Sequence, residues 1–142
     1  MVEKARILIV EDHPVTSVGL RQIVEDEGDL AVCAEAVDVR SGIQAYLEHQ
    51  PDLMLADIAL PGRNGLELLK EVKAIDPQGR VLFVSIFDEK VYAERVLRAG
   101  ALGYLMKDEA PDVLIKAIRT VLSDQVYVSG QVSDQIVAAF TG

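Results

Sequence analysis

The sequence predicts an α/β protein: an open, doubly wound sheet of five parallel strands with one extra helix at the C-terminal end. Three observations carry this. Short apolar runs alternate five times with longer amphipathic segments. The runs are apolar almost throughout, not at every second position, as strands covered on both faces are. Crossovers between parallel strands are right-handed, which sends the intervening helices to both faces of the sheet.

Each element has a local reason. RILIV (Arg6 to Val10) reads as the first strand, and Pro14 opens a helix with Thr16, Leu20, Ile23 and Val24 on one face. LAVCAEA (Leu30 to Ala36) is the second strand. Asp38 caps the second helix, whose apolar side is Val39, Ile43, Tyr46 and Leu47. LMLA (Leu53 to Ala56) is the third strand. After PGRNG a helix carries Leu68, Leu69, Val72 and Ile75, and Asp76-Pro77 stops it. VLFVS (Val81 to Ser85) is the fourth strand. Its helix turns Ala93, Val96 and Leu97 inward and ends at Gly100. GYLM (Gly103 to Met106) is a short fifth strand, and the helix after Pro111 stacks Leu114, Ala117, Ile118 and Val121. The remaining stretch breaks the alternation. It reads as an appendage: an extended piece over Val126 to Val128, then a helix with Val132, Ile136, Ala139 and Phe140 on one face.

A chain of 142 residues suits one domain with a real core. The net charge of -9 and pI of about 4.6 argue against this domain gripping nucleic acid by itself. A solvated acidic surface and an acidic pocket for a divalent cation both explain that charge. The start, MVEKARILIVED, lacks the pattern of a secretory leader, and no apolar stretch is long enough to span a bilayer. The lone Cys33 is expected to be a buried structural thiol in a reducing, cytoplasmic compartment.

In open parallel sheets, ligands bind beyond the carboxyl ends of the strands. Strand one ends in Glu11 and Asp12, strand three in Asp57 and strand four in Ser85, while Lys107 follows strand five. Strand two has no counterpart, as an edge strand would not. Singly, each residue has an ordinary role, such as a cap, a loop ligand or a surface charge. Together they put three acids, a hydroxyl and a lysine at one sheet edge. Clustered carboxylates call for a cation or for protons. Aspartate can accept a phosphoryl group, and lysine, hydroxyl and metal supply the charge stabilisation that such a transfer needs.

These residues resemble a receiver domain of bacterial two-component response regulators, over about residues 5 to 123. The resemblance lies in IVEDHP (Ile9 to Pro14), DIALPGRNG (Asp57 to Gly65), VLFVS and GYLMKD (Gly103 to Asp108). EDHP, GYLMKD and the tail VYVSGQVSDQIV are most similar to the NarL/FixJ-type, LuxR-family branch. That likeness implies a flavodoxin-like (βα)5 fold with strand order 2-1-3-4-5. It implies a receiver over 1-125, with 126-142 as a linker and helix leading to a helix-turn-helix DNA-binding domain. By position, Asp57 would be the phosphoacceptor for a sensor histidine kinase. Asp12, Asp57 and the Ala59 carbonyl would bind Mg2+, with Glu11 helping through a water. Ser85 and Lys107 would hold phosphoryl oxygens. Pro61 and Gly65 would shape the loop, and Tyr104 would swing inward when Ser85 moves, remodelling the face of helix 4, strand 5 and helix 5 for dimerisation or output.

Glu11 replaces the commoner aspartate, and Ser85 the frequent threonine. Ala59 and Phe87 offer no carboxylate or amide to orient water, so slow self-dephosphorylation is expected. His13 reads as a loop residue, since magnesium prefers oxygen, and His49 as the exposed end of a helix. Two rivals are an aspartyl phosphohydrolase and a binding module that has lost phosphorylation. Ala59, where a second acid would sit, argues against the first, and the intact acid, hydroxyl and lysine set against the second. The chain has neither a G-x-x-x-x-G-K-[ST] loop nor G-x-G-x-x-G after a strand, which argues against a nucleotide enzyme.

Overall fold

The computed structural model describes residues 3–141. Eleven elements follow one another: β1(Ala5–Val10), α1(Pro14–Glu25), β2(Leu30–Ala36), α2(Val39–His49), β3(Leu53–Ala56), α3(Gly65–Ile75), β4(Val81–Ser85), α4(Glu89–Arg98), β5(Gly103–Met106), α5(Pro111–Leu122) and α6(Gly130–Thr141). The five strands form one parallel sheet in the order β2-β1-β3-β4-β5. Sequence and structure agree on the fold class and on the strand order.

Side chains alternate across the sheet and so build two cores. Ile7, Ile9, Leu53, Leu55, Leu82 and Val84 face α1 and α5, and pack on Leu20, Leu114, Ala117 and Ile118. Leu8, Val10, Met54, Ala56, Val81 and Phe83 face the other way, onto Val39, Tyr46, Leu68, Leu69, Val72 and Val96 from α2, α3 and α4. Local chemistry starts the helices on time. Asp38 and Ser41 form a reciprocal capping box at α2, as do Asn64 and Glu67 at α3.

Several expectations are corrected. Leu47 and Ile75, read as inward, are exposed; each lies in the last turns of its helix, at the end of the buried stripe. Cys33 is half-buried on β2, the edge strand, and burial pushes its thiol upward. His49 is half-buried, and its carbonyl accepts from Arg6. Gly100 does follow α4, at a φ of +106° that favours glycine, one residue beyond the Ala99 cap.

The tail is no loose appendage. Tyr127 forms a parallel bridge with Gly103; its N–H donates to the Leu102 carbonyl and its own carbonyl accepts from Tyr104 N–H. Ser129 Oγ donates to Glu89 at the start of α4, and Gln135 donates to the Lys90 carbonyl. Val132 is buried in the core, while Ile136 packs against it. Ala139 and Phe140, read as part of the same stripe, stand exposed. The stripe is buried only over its first two turns.

Candidate functional site

Register assembles the site. Val10 pairs with Ala56, Ala56 with Phe83 and Ser85 with Met106. The residues just beyond these pairs, Glu11, Asp57 and Lys107, therefore emerge side by side at the carboxyl edge. The acidic side chains are deeply buried: Glu11 is 3% and Asp57 2% exposed. Such burial requires paired charge, and Lys107 supplies it. Its Nζ donates to Asp57 Oδ2 at 2.7 Å and to Glu11 Oε1 at 3.1 Å. Burial alone would lower the Lys107 pKa, but hydrogen bonds to Asp57 and Glu11 outweigh it and the net shift is upward.

The other Asp57 oxygen is also held, since Oδ1 accepts from Ala59 N–H at 3.1 Å. Gly65 lets the loop close tightly. A Cβ there would stand 2.5 Å from the Asp57 carbonyl oxygen and 2.8 Å from the Phe83 ring. Pro61 lies exposed in the loop; the residue with positive φ is Gly62, at +76°. The acids do not cap α1. Its cap position is His13, which makes no side-chain cap bond, and Glu11 instead accepts from His13 N–H.

One oxygen each from Glu11, Asp12 and Asp57, with His13 Nδ1, lie within 4.8 Å of one another. Asp12 Oδ1 is buried without a hydrogen-bond partner among the described residues. A set of three carboxylates with one orphaned oxygen and a single lysine fits a hard divalent cation. His13 belongs to this cluster although sequence reading set it aside as a loop residue; its place directly after the acid pair was the available signal.

Ser85 is fully buried, and its Oγ accepts from Phe87 N–H at 3.2 Å. Its carbonyl accepts from Lys107 N–H, so β4 fixes the lysine's backbone. Tyr104 was expected to move inward with Ser85, but its ring is already inside, 1% exposed. Its hydroxyl donates to the Phe87 carbonyl at 2.7 Å. Burial pushes its pKa up to about 12. Phe87 itself is partly exposed and packs against Tyr92.

A doubly wound sheet in this order, with acids and a lysine gathered beyond its carboxyl edge, defines the class of signal receiver domains. The response regulator receiver domain family matches residues 7–119, and the chain belongs to that family. It is 33% identical over 136 residues to the oxygen regulatory protein NreC of Staphylococcus epidermidis, covering 95% of this chain and 62% of that protein. It is 31% identical to a nitrate/nitrite response regulator protein homolog of Haemophilus influenzae, covering 94% of this chain and 64% of that one. The chain thus spans less than two thirds of these relatives' length. Among solved structures, a LuxR-family response regulator from Aurantimonas sp. matches with a TM-score of 0.91 at 31% identity, covering 99% of this chain and 100% of that one. The receiver domain of NarL from Mycobacterium tuberculosis matches with a TM-score of 0.80 at 30% identity, over 85% of this chain and 98% of that one.

Proposed function

We propose that this domain is a phosphorylation-activated switch in which Asp57 accepts a phosphoryl group from the phosphohistidine of a sensor histidine kinase. The observation that carries this is the placement of Asp57: buried at the end of β3, bonded to Lys107, and within the acid cluster. Glu11, Asp12, Asp57 and the Ala59 carbonyl would hold Mg2+, which when bound neutralises charge on the phosphoryl oxygens.

The chain's own groups do the rest. The Asp57 carboxylate attacks the phosphorus as the P–N bond to the kinase histidine breaks and that imidazole leaves, while Lys107 and Ala59 N–H keep the carboxylate oriented. Lys107 then follows the new negative charge. Ser85 Oγ accepts from Phe87 N–H, which leaves its O–H to donate to a phosphoryl oxygen. A shift of Ser85 pulls on Phe87, whose carbonyl holds Tyr104. The local charge change thereby reaches the α4–β5–α5 face, a two-state element of the kind such switches use. Since Tyr104 already lies inside, phosphorylation would act by fixing this arrangement rather than by creating it.

The tail docks on α4 and β5, the same face. Residues 1-125 would then be the receiver, and 126-142 the connection to a DNA-binding output domain, with a homodimer forming on activation. The greater length of the NreC and nitrate/nitrite relatives supports such a further domain. A transcription-regulating role in the cytoplasm fits this reading, as does the absence of any helix long and apolar enough to cross a membrane among the described residues. Ala59 and Phe87 carry no group that would orient water, so the phosphoryl group should be long-lived, and Ala59→Asn should shorten its lifetime.

The test is intact-mass analysis after incubation with acetyl phosphate and Mg2+, alongside Asp57→Ala. One phosphoryl adduct, absent without metal and absent in the variant, supports the switch. No adduct on a folded protein overturns acceptance from small donors and favours a constitutive binding module. Sustained phosphate release favours a hydrolase instead.

A further inference from the structure

His13 is the one group in the cluster that the phosphoryl-transfer mechanism leaves unused. Its Nδ1 lies 2.9 Å from Glu11 Oε1 and 3.2 Å from Asp12 Oδ1. An ion with ligand bonds of about 2.1 Å sets adjacent donors of an octahedron about 3 Å apart. The imidazole nitrogen therefore already stands at the spacing of a neighbouring ligand from each of the two acid oxygens. Asp12 Oδ1 makes no hydrogen bond among the described residues although the His13 ring stands 3.2 Å away, which leaves its lone pairs open to a cation. Lys107 donates to the same Glu11 oxygen but cannot ligate, whereas His13 can, and its side chain is 63% exposed. Pro14 restrains the backbone that carries it: His13 is extended, at φ -89° and ψ 112°.

We propose that His13 is a further protein donor to this cation site, through Nδ1, and that it tunes the site toward borderline first-row divalent ions such as Co2+. The proposal rests on the reading of Glu11, Asp12 and Asp57 as cation ligands. Magnesium takes oxygen and keeps its waters, so it gains nothing from the ring. Imidazole suits the later first-row ions, which bind mixed nitrogen and carboxylate sets. In the loaded site the neutral ring carries its proton on Nε2, toward solvent, and its Nδ1 lone pair faces the ion. Glu11 gives up the imidazole donor and keeps Lys107.

The test is calorimetric titration of the tag-free chain with Mg2+ and, separately, with Co2+. His13→Ala and His13→Gln should each weaken Co2+ binding about tenfold or more while leaving Mg2+ within about twofold. The glutamine variant can still donate to Glu11 but lacks the imidazole lone pair, so it separates ligation from positioning. The visible spectrum of bound Co2+ should change in both variants. Unaltered Co2+ affinity overturns the proposal, and so does an equal loss for both ions, which would mean that His13 only orients the acids. Asp12→Asn should weaken both ions. If wild-type protein binds neither, the cation-site reading itself fails.

Discussion

Lys107→Met keeps the length of the side chain and removes its ammonium. Glu11 and Asp57, 3% and 2% exposed, then share a buried site with no counter-charge. Removing one partner of a buried ion pair costs about 3–5 kcal/mol. The Lys107 side chain is 14% exposed, so water reaches the gap and the low end applies, about 3 kcal/mol. At neutral pH, urea denaturation followed by circular dichroism should show a lower midpoint with an unchanged slope. Magnesium should narrow the difference, because an ion at 100 times its Kd adds about 2.7 kcal/mol to whichever fold binds it. It should bind the variant better, since no lysine competes for the acids. The folded Lys107 pKa lies above its unfolded value. Its contribution is therefore complete below about pH 10.4 and fades as pH rises through the folded value. The gap between variant and wild type should stay constant from neutral pH to about pH 10 and close above that. Equal midpoints without magnesium would refute the pairing logic.

Three further outcomes follow from the geometry. Gly65→Ala places a Cβ 2.5 Å from the Asp57 carbonyl oxygen and 2.9 Å from the Ile58 Cα, backbone atoms that cannot step aside; thermal melts should show a loss of about 2–3 kcal/mol, and an unaltered melting point would sink the close-approach account. Tyr104, pushed to about 12, should ionise late among the four tyrosines in an alkaline absorbance titration. Its share of stability, about 2–3 kcal/mol, is present below about pH 10 and lost as pH rises through the folded value, and Tyr104→Phe should remove that step while leaving the still later one of Tyr46, which burial and Asp76 push higher. Val132→Asp sets a carboxylate into the core contact of α6; a helix of 12 residues is marginal on its own, so about a sixth of the helical signal should vanish. Retention of full helicity would show that α6 needs no docking.

The strands were legible because their limits are set locally. Leu53–Ala56 and Val81–Ser85 are apolar runs bounded by turn residues, and a buried parallel strand needs no partner's pattern to be recognised. Helix faces were legible only at their centres. Leu68, Leu69 and Val72 point inward as periodicity requires, but Ile75, at the end of the same stripe, is exposed. An apolar stripe made docking of the tail one option among several, but not where it docks. Val132 buries itself on α4, some forty residues earlier in the chain, and an amphipathic pattern does not say which surface it meets.

The site shows the same division more sharply. That acids, a hydroxyl and a lysine follow successive strands could be read from order alone. That Lys107 reaches both Glu11 and Asp57, across 96 and 50 residues, depends on register. The pairs Val10–Ala56 and Ser85–Met106 fix that register, and they are held by side chains that alternate between two separate cores. Slipping β3 by one residue would exchange Leu53 and Leu55 with Met54 and Ala56 between the cores, and would turn Asp57 away from Lys107. The two hydrophobic layers therefore do more than hold the domain together: by refusing a one-residue slip, they set the distance between the acids and their lysine.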